Sequence, residues 1–260
     1  MKINIIIPAY NEGERIYDVL NQIQNSLNFK PFLPAKALAK QVSFKLIVVD
    51  DGSSDNTFDQ AARAGVKVLK HIANRGQGAA LVTGTKYALK HGAEVIVHFD
   101  ADGQHQVSDI GKLAEPIINK RVGVVLGSRF IKEPKSQKKV KLSNNLPTTI
   151  SNLLSTKDIP LLRRFFILGN LIVNTFLTGV FLSDAHNGLR ALSADAAKKI
   201  NITQDRMAHA TEYIQEINRL GLLYQEIPVT IRYGQNSKKS QGFFDGVKIL
   251  KELFLGRLTK

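Results

Sequence analysis

The chain has 260 residues, 43% of them hydrophobic, which suits one α/β domain with at most a small appendage and excludes a chain disordered throughout. It has no cysteine, which excludes disulfides and thiolate metal sites and fits a reducing compartment. A formal charge of +14 calls for anionic partners (nucleic acid, phospholipid headgroups or phosphorylated substrates), or else serves solubility alone.

In chain order, strand and helix signals alternate through the first half. Met1–Pro8 is a short β-like run with no cleavage region after it, so no signal peptide is expected. Ile3–Pro8 is apolar apart from Asn4, as expected of a strand buried on both faces. Ile16, Val19, Leu20, Ile23 and Leu27 give Glu12–Leu27 helical spacing. Phe44–Asp50 is a second buried strand. Asp55 is expected to cap the next helix, which ends near Gly65. Val66–Leu69 is a third strand, and Gln77–Lys90 a helix stopped at Gly92. Glu94–Phe99 is a fourth strand, Ser108–Asn119 a further helix and Val122–Leu126 a fifth strand. Repeated βα units imply an α/β fold with a mostly parallel, twisted sheet flanked by helices. Ligands bind such sheets at the carboxyl ends of the strands. Here those ends read Pro8–Glu12, Asp50–Asp55, Asp100–Asp102 and Gly127–Arg129, so the chemically capable residues share one edge.

Several stretches break the pattern. Asn28–Ser43 is expected to be a surface excursion. Ile131–Asp158, with the basic run Lys132–Lys141, has the composition of a long loop or lid. The basic run is either solvated or a contact for anionic lipid. Phe165–Leu182 carries no charge and is just long enough to suggest a membrane span. However, Gly169, Asn170, Asn174, Thr175, Thr178 and Gly179 interrupt it, and a span would part Asp184–Ser193 from the sheet. Helices lying on a membrane surface, or packed in the core, are expected instead. Near the end, Phe243, Val247, Leu250, Phe254 and Leu258 keep helical spacing among Lys248, Lys251 and Arg257. Such a helix either lies on an anionic membrane or docks on the domain's own core.

The strand ends carry the chemistry. Alternate residues leaving a strand point the same way, so Asp100 and Asp102 can share one hard cation, with Gln104 adding an oxygen. Mg²⁺ or Mn²⁺ would complete its shell with diphosphate oxygens and water. Asp51 can hydrogen-bond a base or ribose, while Gly52 and Ser53 permit a tight turn. Asn74-Arg75-Gly76-Gln77-Gly78 opens a helix whose start can approach a nucleotide and attract anions. Neither a P-loop nor a dinucleotide fingerprint is present. His98 suits a structural role better than a ligand role. His105 could support the cation, although Gln104 fits better, and no role is assigned to His186 or His209.

Together, PAYNE (Pro8–Glu12), VVDDGSSD (Val48–Asp55), NRGQGAAL (Asn74–Leu81), FDADGQH (Phe99–His105) and LGSRF (Leu126–Phe130) resemble glycosyltransferase family 2. Downstream, DAHNGLRALS (Asp184–Ser193), Thr211-Glu212, QEIPV (Gln225–Val229) and IRYGQNSKKS (Ile231–Ser240) resemble its polyprenyl-phosphate branch. That branch includes dolichyl-phosphate mannosyltransferase and related glucosyl enzymes. The resemblance covers roughly residues 2–240. It implies a GT-A, Rossmann-like catalytic domain over 1–240, with a lid loop and apolar interface helices at 131–182. An amphipathic helix over 241–260 completes the membrane-facing part. Pro8, Ala9, Tyr10, Glu12, Asp51, Asn74, Gly76, Gln77, Asp100 and Ala101 would line the nucleotide-sugar. Asp100, Asp102 and Gln104 would hold the metal. Arg129 would position the acceptor phosphate, as would Arg163 or Arg164. Arg232, Ser237 and Lys238 would close over the diphosphate. Two departures stand out. Relatives often carry a polar residue near Ile167, and many have C-terminal transmembrane helices. This chain would then use a membrane partner or its final helix, or be truncated.

The implied reaction is an inverting, in-line transfer of a hexose from a GDP-mannose- or UDP-glucose-type donor to polyprenyl or dolichyl phosphate. It would take place at the cytosolic face of a membrane, on a peripheral enzyme of the cytoplasm. A phosphate acceptor is already anionic and needs positioning by Arg129 and Arg163 more than it needs a base. A hydroxyl acceptor, as in a soluble family 2 enzyme acting on a glycan or protein, needs one, and Glu212 is the best placed. A non-catalytic basic module for membrane or nucleic acid fits less well. The Asp100/Asp102 pair argues for catalysis, and no nucleic-acid-binding pattern is present.

Overall fold

The computed structural model describes residues 1–29, 42–131, 175, 178–180, 182–184 and 187–231. The expected lid, most of the apolar segment and the final helix lie outside these residues. So do Arg163, Arg164, Arg232, Ser237, Lys238 and His186, and the expected limit between residues 240 and 241. Among the described residues, no helix is long and apolar enough to cross a membrane.

The strands are β1 (Lys2–Ala9), β2 (Ser43–Asp50), β3 (Lys67–Lys70), β4 (Val95–His98), β5 (Val124–Ser128), β6 (Arg190–Ser193) and β7 (Tyr224–Pro228). The helices are α1 (Ile16–Phe29), α2 (Thr57–Arg63), α3 (Gln77–Lys90), α4 (Ser108–Ile118), α5 (Ala194–Lys199) and α6 (His209–Arg219). All the strands join one sheet in the order β3-β2-β1-β4-β6-β5-β7. β1 pairs in parallel with β2 and β4, β2 with β3, and β5 with β7, whereas β6 runs antiparallel between β4 and β5.

Alternation along the strands divides the core between two faces. Ile3, Ile5 and Ile7 pack with Ile16, Leu20 and Ile23 of α1 and with Ile110, Leu113 and Ile117 of α4. Ile6, Ile47, Val49 and Ile96 pack with Ala80, Leu81 and Ala88 of α3 and with Tyr213, Ile214 and Ile217 of α6. Every β1 residue from Ile3 to Ala9 is buried, which explains why the run is apolar apart from Asn4.

Three local expectations shift. α1 starts at Ile16 rather than Glu12, because the Glu12 carbonyl accepts the Arg15 and Ile16 N–H groups in a preceding turn. The cap position of α2 is Asn56, not Asp55. The Asp55 carboxylate still accepts the Thr57 N–H at 2.9 Å and the Thr57 hydroxyl. Strands β6 and β7 carry no signal in the reading by periodicity. β6 is four residues long and begins with an arginine, and β7 contains Gln225 and Glu226.

Candidate active site

From β1 the chain builds outward through β2 and β3 on one side, then returns to place β4 on the other. The strand order therefore reverses at β1, and the crevice beyond β1 and β4 is where such sheets bind ligands. A cleft of about 380 Å³ lies there, lined by Pro8, Ala9, Tyr10, Glu12, Asp51, Asn74, Gly76, Gln77, Asp100, Ala101 and Asp102. All ten residues expected to line a nucleotide-sugar, apart from Arg232 and Lys238, thus meet in one place. A larger depression of about 680 Å³ near the start of β2 holds none of these residues.

Two strand-end loops are sewn together by the polar residues of their motifs. The Asn11 N–H donates to Ser53 Oγ at 3.0 Å, and Asn11 Oδ1 accepts the Ser54 N–H at 3.0 Å. The Glu12 N–H donates to Thr57 Oγ1 at 2.8 Å and the Gly13 N–H to Asp55 Oδ2 at 3.0 Å. Gly52, at φ 71°, lies so close to the next loop that a Cβ there would come within 2.5 Å of the Ala73 carbonyl carbon. Asp51 then fastens that loop. It accepts the Gly76 N–H at 2.6 Å, the Arg75 N–H at 3.1 Å and Asn74 Nδ2 at 3.0 Å. Its Oδ1 also lies 2.6 Å from His71 Nδ1, whose other ring nitrogen meets Thr83. Asp51, expected to hold base or ribose, lines the cleft, and its buried carboxylate also fastens the loop that shapes the cleft wall. His71 escaped the sequence reading because no local pattern links it to Asp51.

Asp100 lies between α3 and the segment after β4. Gln77 Nε2 donates to its Oδ1 at 2.8 Å, and His105 Nε2 lies 3.1 Å from its Oδ2. Burial alone would raise the Asp100 carboxyl; the hydrogen bond and charge of His105, with Arg190 and His209, outweigh it and hold the group below its ordinary value. Burial pushes the Asp102 carboxyl up, against the Gln104 N–H at 2.9 Å, and the neighbouring Asp100 charge adds to the rise. His105 is lowered by burial but raised further by Asp100 and Asp102, so it sits above its ordinary value. It supports Asp100 directly, a closer role than expected of it. Among the described residues, no three His, Asp or Glu side chains gather to hold an ion unaided.

His98 is buried in β4, with Nε2 3.0 Å from Thr85 Oγ1; burial first, then the Arg190 and His209 charges, hold it well below its usual range. It is a neutral core histidine. Arg190 of β6 is buried beside it, its guanidinium 4.5 Å over the Tyr213 ring.

Arg129 follows β5. Its Nε and Nη2 bind Asp184 at 2.6 and 2.8 Å, and its backbone N–H adds a third bond at 3.1 Å. Asp184 is 2% exposed and Arg129 29%. Ser183, next to Asp184, is itself fixed between Ser128 Oγ at 2.6 Å and Glu226 Oε1 at 2.6 Å. Glu212 does not line the cleft. Its carboxylate accepts the Thr203 N–H, the Thr203 hydroxyl and the Gln204 N–H at 2.9, 2.7 and 2.8 Å. It organises the turn before α6, away from the residues that line the cleft.

The family model described as glycosyl transferase family 2 matches residues 4–186. The chain belongs to glycosyltransferase family 2. This glycosyltransferase is similar to an uncharacterized protein of Methanocaldococcus jannaschii, 32% identical over 99% of this chain and 93% of that protein. It is also 31% identical to the UDP-N-acetylglucosamine–dolichyl-phosphate N-acetylglucosaminyltransferase of Methanococcus voltae, over 99% of this chain and 97% of the relative. Among solved structures, the Mycobacterium tuberculosis glucosyl-3-phosphoglycerate synthase covers 99% of this chain and 80% of its own at 17% identity, with a TM-score of 0.61. That likeness is one of fold. A crystal of the same synthase, TM-score 0.59, contains Mn²⁺, UDP and glucosyl-3-phosphoglycerate. In the glycosyltransferase, the segment following the family match supplies β6 and β7, which complete the sheet, and the helices α5 and α6.

Proposed function

We propose that this glycosyltransferase transfers a sugar from a nucleoside-diphosphate donor to a polyprenyl phosphate at a membrane surface, with a divalent cation at Asp100 and Asp102. The observation that carries the reading is the single cleft. It combines the half-exposed Tyr10 ring, the start of α3 at Gly76 and Gln77, and the Asp100/Asp102 pair. An aromatic face suits a base, a helix start suits a diphosphate, and two carboxylates suit a hard cation.

The donor set fits Mg²⁺ or Mn²⁺. Both groups are carboxylates, and Asp102 is raised partly by the negative charge of Asp100. A cation would relieve that repulsion. Two carboxylates without a full protein cage match ions that draw most of their shell from substrate phosphate and water. Gln104 is a further oxygen on the same loop. When bound, the cation would neutralise charge developing on the departing diphosphate.

The remaining steps belong to the chain. Asp51, through His71, Asn74, Arg75 and Gly76, keeps the donor wall in place. Arg129, held by Asp184, orients an acceptor phosphate oxygen toward the anomeric carbon. That oxygen forms the new bond while the bond to the diphosphate breaks, inverting the centre. Arg163, Arg164, Arg232 and Lys238 are assigned phosphate contacts by family resemblance. The name of the Methanococcus voltae relative supports a lipid phosphate acceptor. So does the place of Glu212: a hydroxyl acceptor needs a base, and this carboxylate faces Thr203 and Gln204 and is not among the residues lining the cleft.

The test is turnover of a panel of nucleotide-sugars with Mn²⁺ and polyprenyl phosphate. Asp102→Ala is expected to abolish metal-dependent transfer while leaving the melting temperature near that of the parent. Undiminished transfer in that variant would overturn the cation assignment.

A further inference from the structure

Asp100 is confined on three sides. Gln77 and His105 bond its two oxygens, at 2.8 and 3.1 Å. The third side is the backbone of Gly188. A Cβ placed on Gly188 would lie 2.3 Å from Asp100 Oδ2, 2.8 Å from Oδ1 and 2.9 Å from Cγ. The carboxylate therefore occupies the space that any side chain at 188 would fill.

The backbone itself does not demand glycine there, because Gly188 is not among the glycines with positive φ. Nor can its segment move aside readily. Asn187 Oδ1 accepts the Leu189 N–H at 2.9 Å, and the Leu189 carbonyl accepts the Gly127 N–H at 2.9 Å. β6 then begins at Arg190, which pairs with His98, two residues before Asp100. Of the two partners in the contact, only the carboxylate is a side-chain end. An added Cβ would turn it away from Gln77 and His105.

We infer that Gly188 is a positioning residue of the cation site: its missing side chain lets the Asp100 carboxylate keep the orientation that Gln77 and His105 select. This rests on the reading of Asp100 and Asp102 as cation ligands. It gives the NGLR segment (Asn187–Arg190), about ninety positions from Asp100, a defined part in cation affinity.

The experiment uses the full chain and reads Mn²⁺ binding by electron paramagnetic resonance, with MnCl₂ alone and with UDP or GDP. Gly188→Ala is expected to weaken Mn²⁺ binding about ten-fold or more, the range seen when support around a metal ligand is lost. Asp102→Ala in the same assay separates the two ideas. If it binds Mn²⁺ as the parent does, the cation reading fails. If it loses binding while Gly188→Ala keeps parental affinity, the role of Gly188 is overturned. A thermodynamic cycle covers a loss of stability. In an Asp100→Ala background the carboxylate is gone, so adding Gly188→Ala should leave the melting temperature unchanged. An equal loss in both backgrounds would mean that the Cβ meets something other than Asp100, and would refute the inference.

Discussion

Replacing Asp51 with alanine should cost this glycosyltransferase its fold stability as well as its donor. The carboxylate accepts hydrogen bonds from the Gly76 and Arg75 N–H groups and from Asn74, and pairs with His71. Bonds to a charged group contribute about 1.5–3 kcal/mol each, but these share one acceptor and are not additive. Arg75 is exposed, so water replaces part of its bond. Asn74 is exposed as well, whereas the half-buried Gly76 at the cleft wall gains less from solvent. A net loss of about 3–4 kcal/mol follows, in the range for a broken buried network. In a chain of this size each kcal/mol is worth about 2–4 °C, so the melting temperature should fall by about 10 °C. Calorimetry or thermal shift reads that fall, and titration with UDP and GDP reads the accompanying loss of affinity. If Asp51 served only as a contact for base or ribose, affinity would vanish with the melting temperature unchanged. A fall below about 2 °C would therefore refute the structural role.

Asp184→Asn removes the charge that holds Arg129 while keeping the side chain's shape. With a polyprenyl phosphate acceptor, KM is expected to rise about ten-fold, from a loss of about 1.4 kcal/mol, with UDP affinity unaltered. An unchanged acceptor KM would separate the pair from acceptor binding. Tyr213 supplies a pH prediction. Burial pushes its hydroxyl up to about 12, with the Arg190 charge opposing. The folded chain thus keeps this proton more firmly than the unfolded chain, whose tyrosine titrates near 10. The resulting stabilisation is complete below about pH 10 and declines as pH rises toward 12, by about 1.4 kcal/mol per unit. Urea denaturation of the parent and of Tyr213→Phe should show a difference that shrinks across that window, and a constant difference would contradict it.

The elements with strong periodicity were legible from residues alone. β1 is apolar but for Asn4 because both its faces are covered, and α3 spans Gln77–Lys90 as its spacing predicts. The strand-end motifs were legible for a related reason. A parallel sheet collects the ends of its strands on one edge, so Pro8–Glu12, Asp50–Asp55 and Asp100–Asp102 had to meet. Tertiary structure decided what each carboxylate does there. Asp51 turns inward to His71 and Gly76, and Glu212 turns to Thr203 and Gln204. Arg129 meets Asp184 across 55 positions of chain. β6 enters the sheet in reverse between β4 and β5, bringing Gly188 onto Asp100. Periodicity reports which side of an element faces the core. The partner of a polar group depends on how distant segments cross, and four residues such as Arg190–Ser193 are too few to announce their own direction. The sequence alone therefore located the Asp100 carboxylate on the ligand-binding edge, while only the fold showed that Gln77, His105 and the bare backbone of Gly188 hold it there.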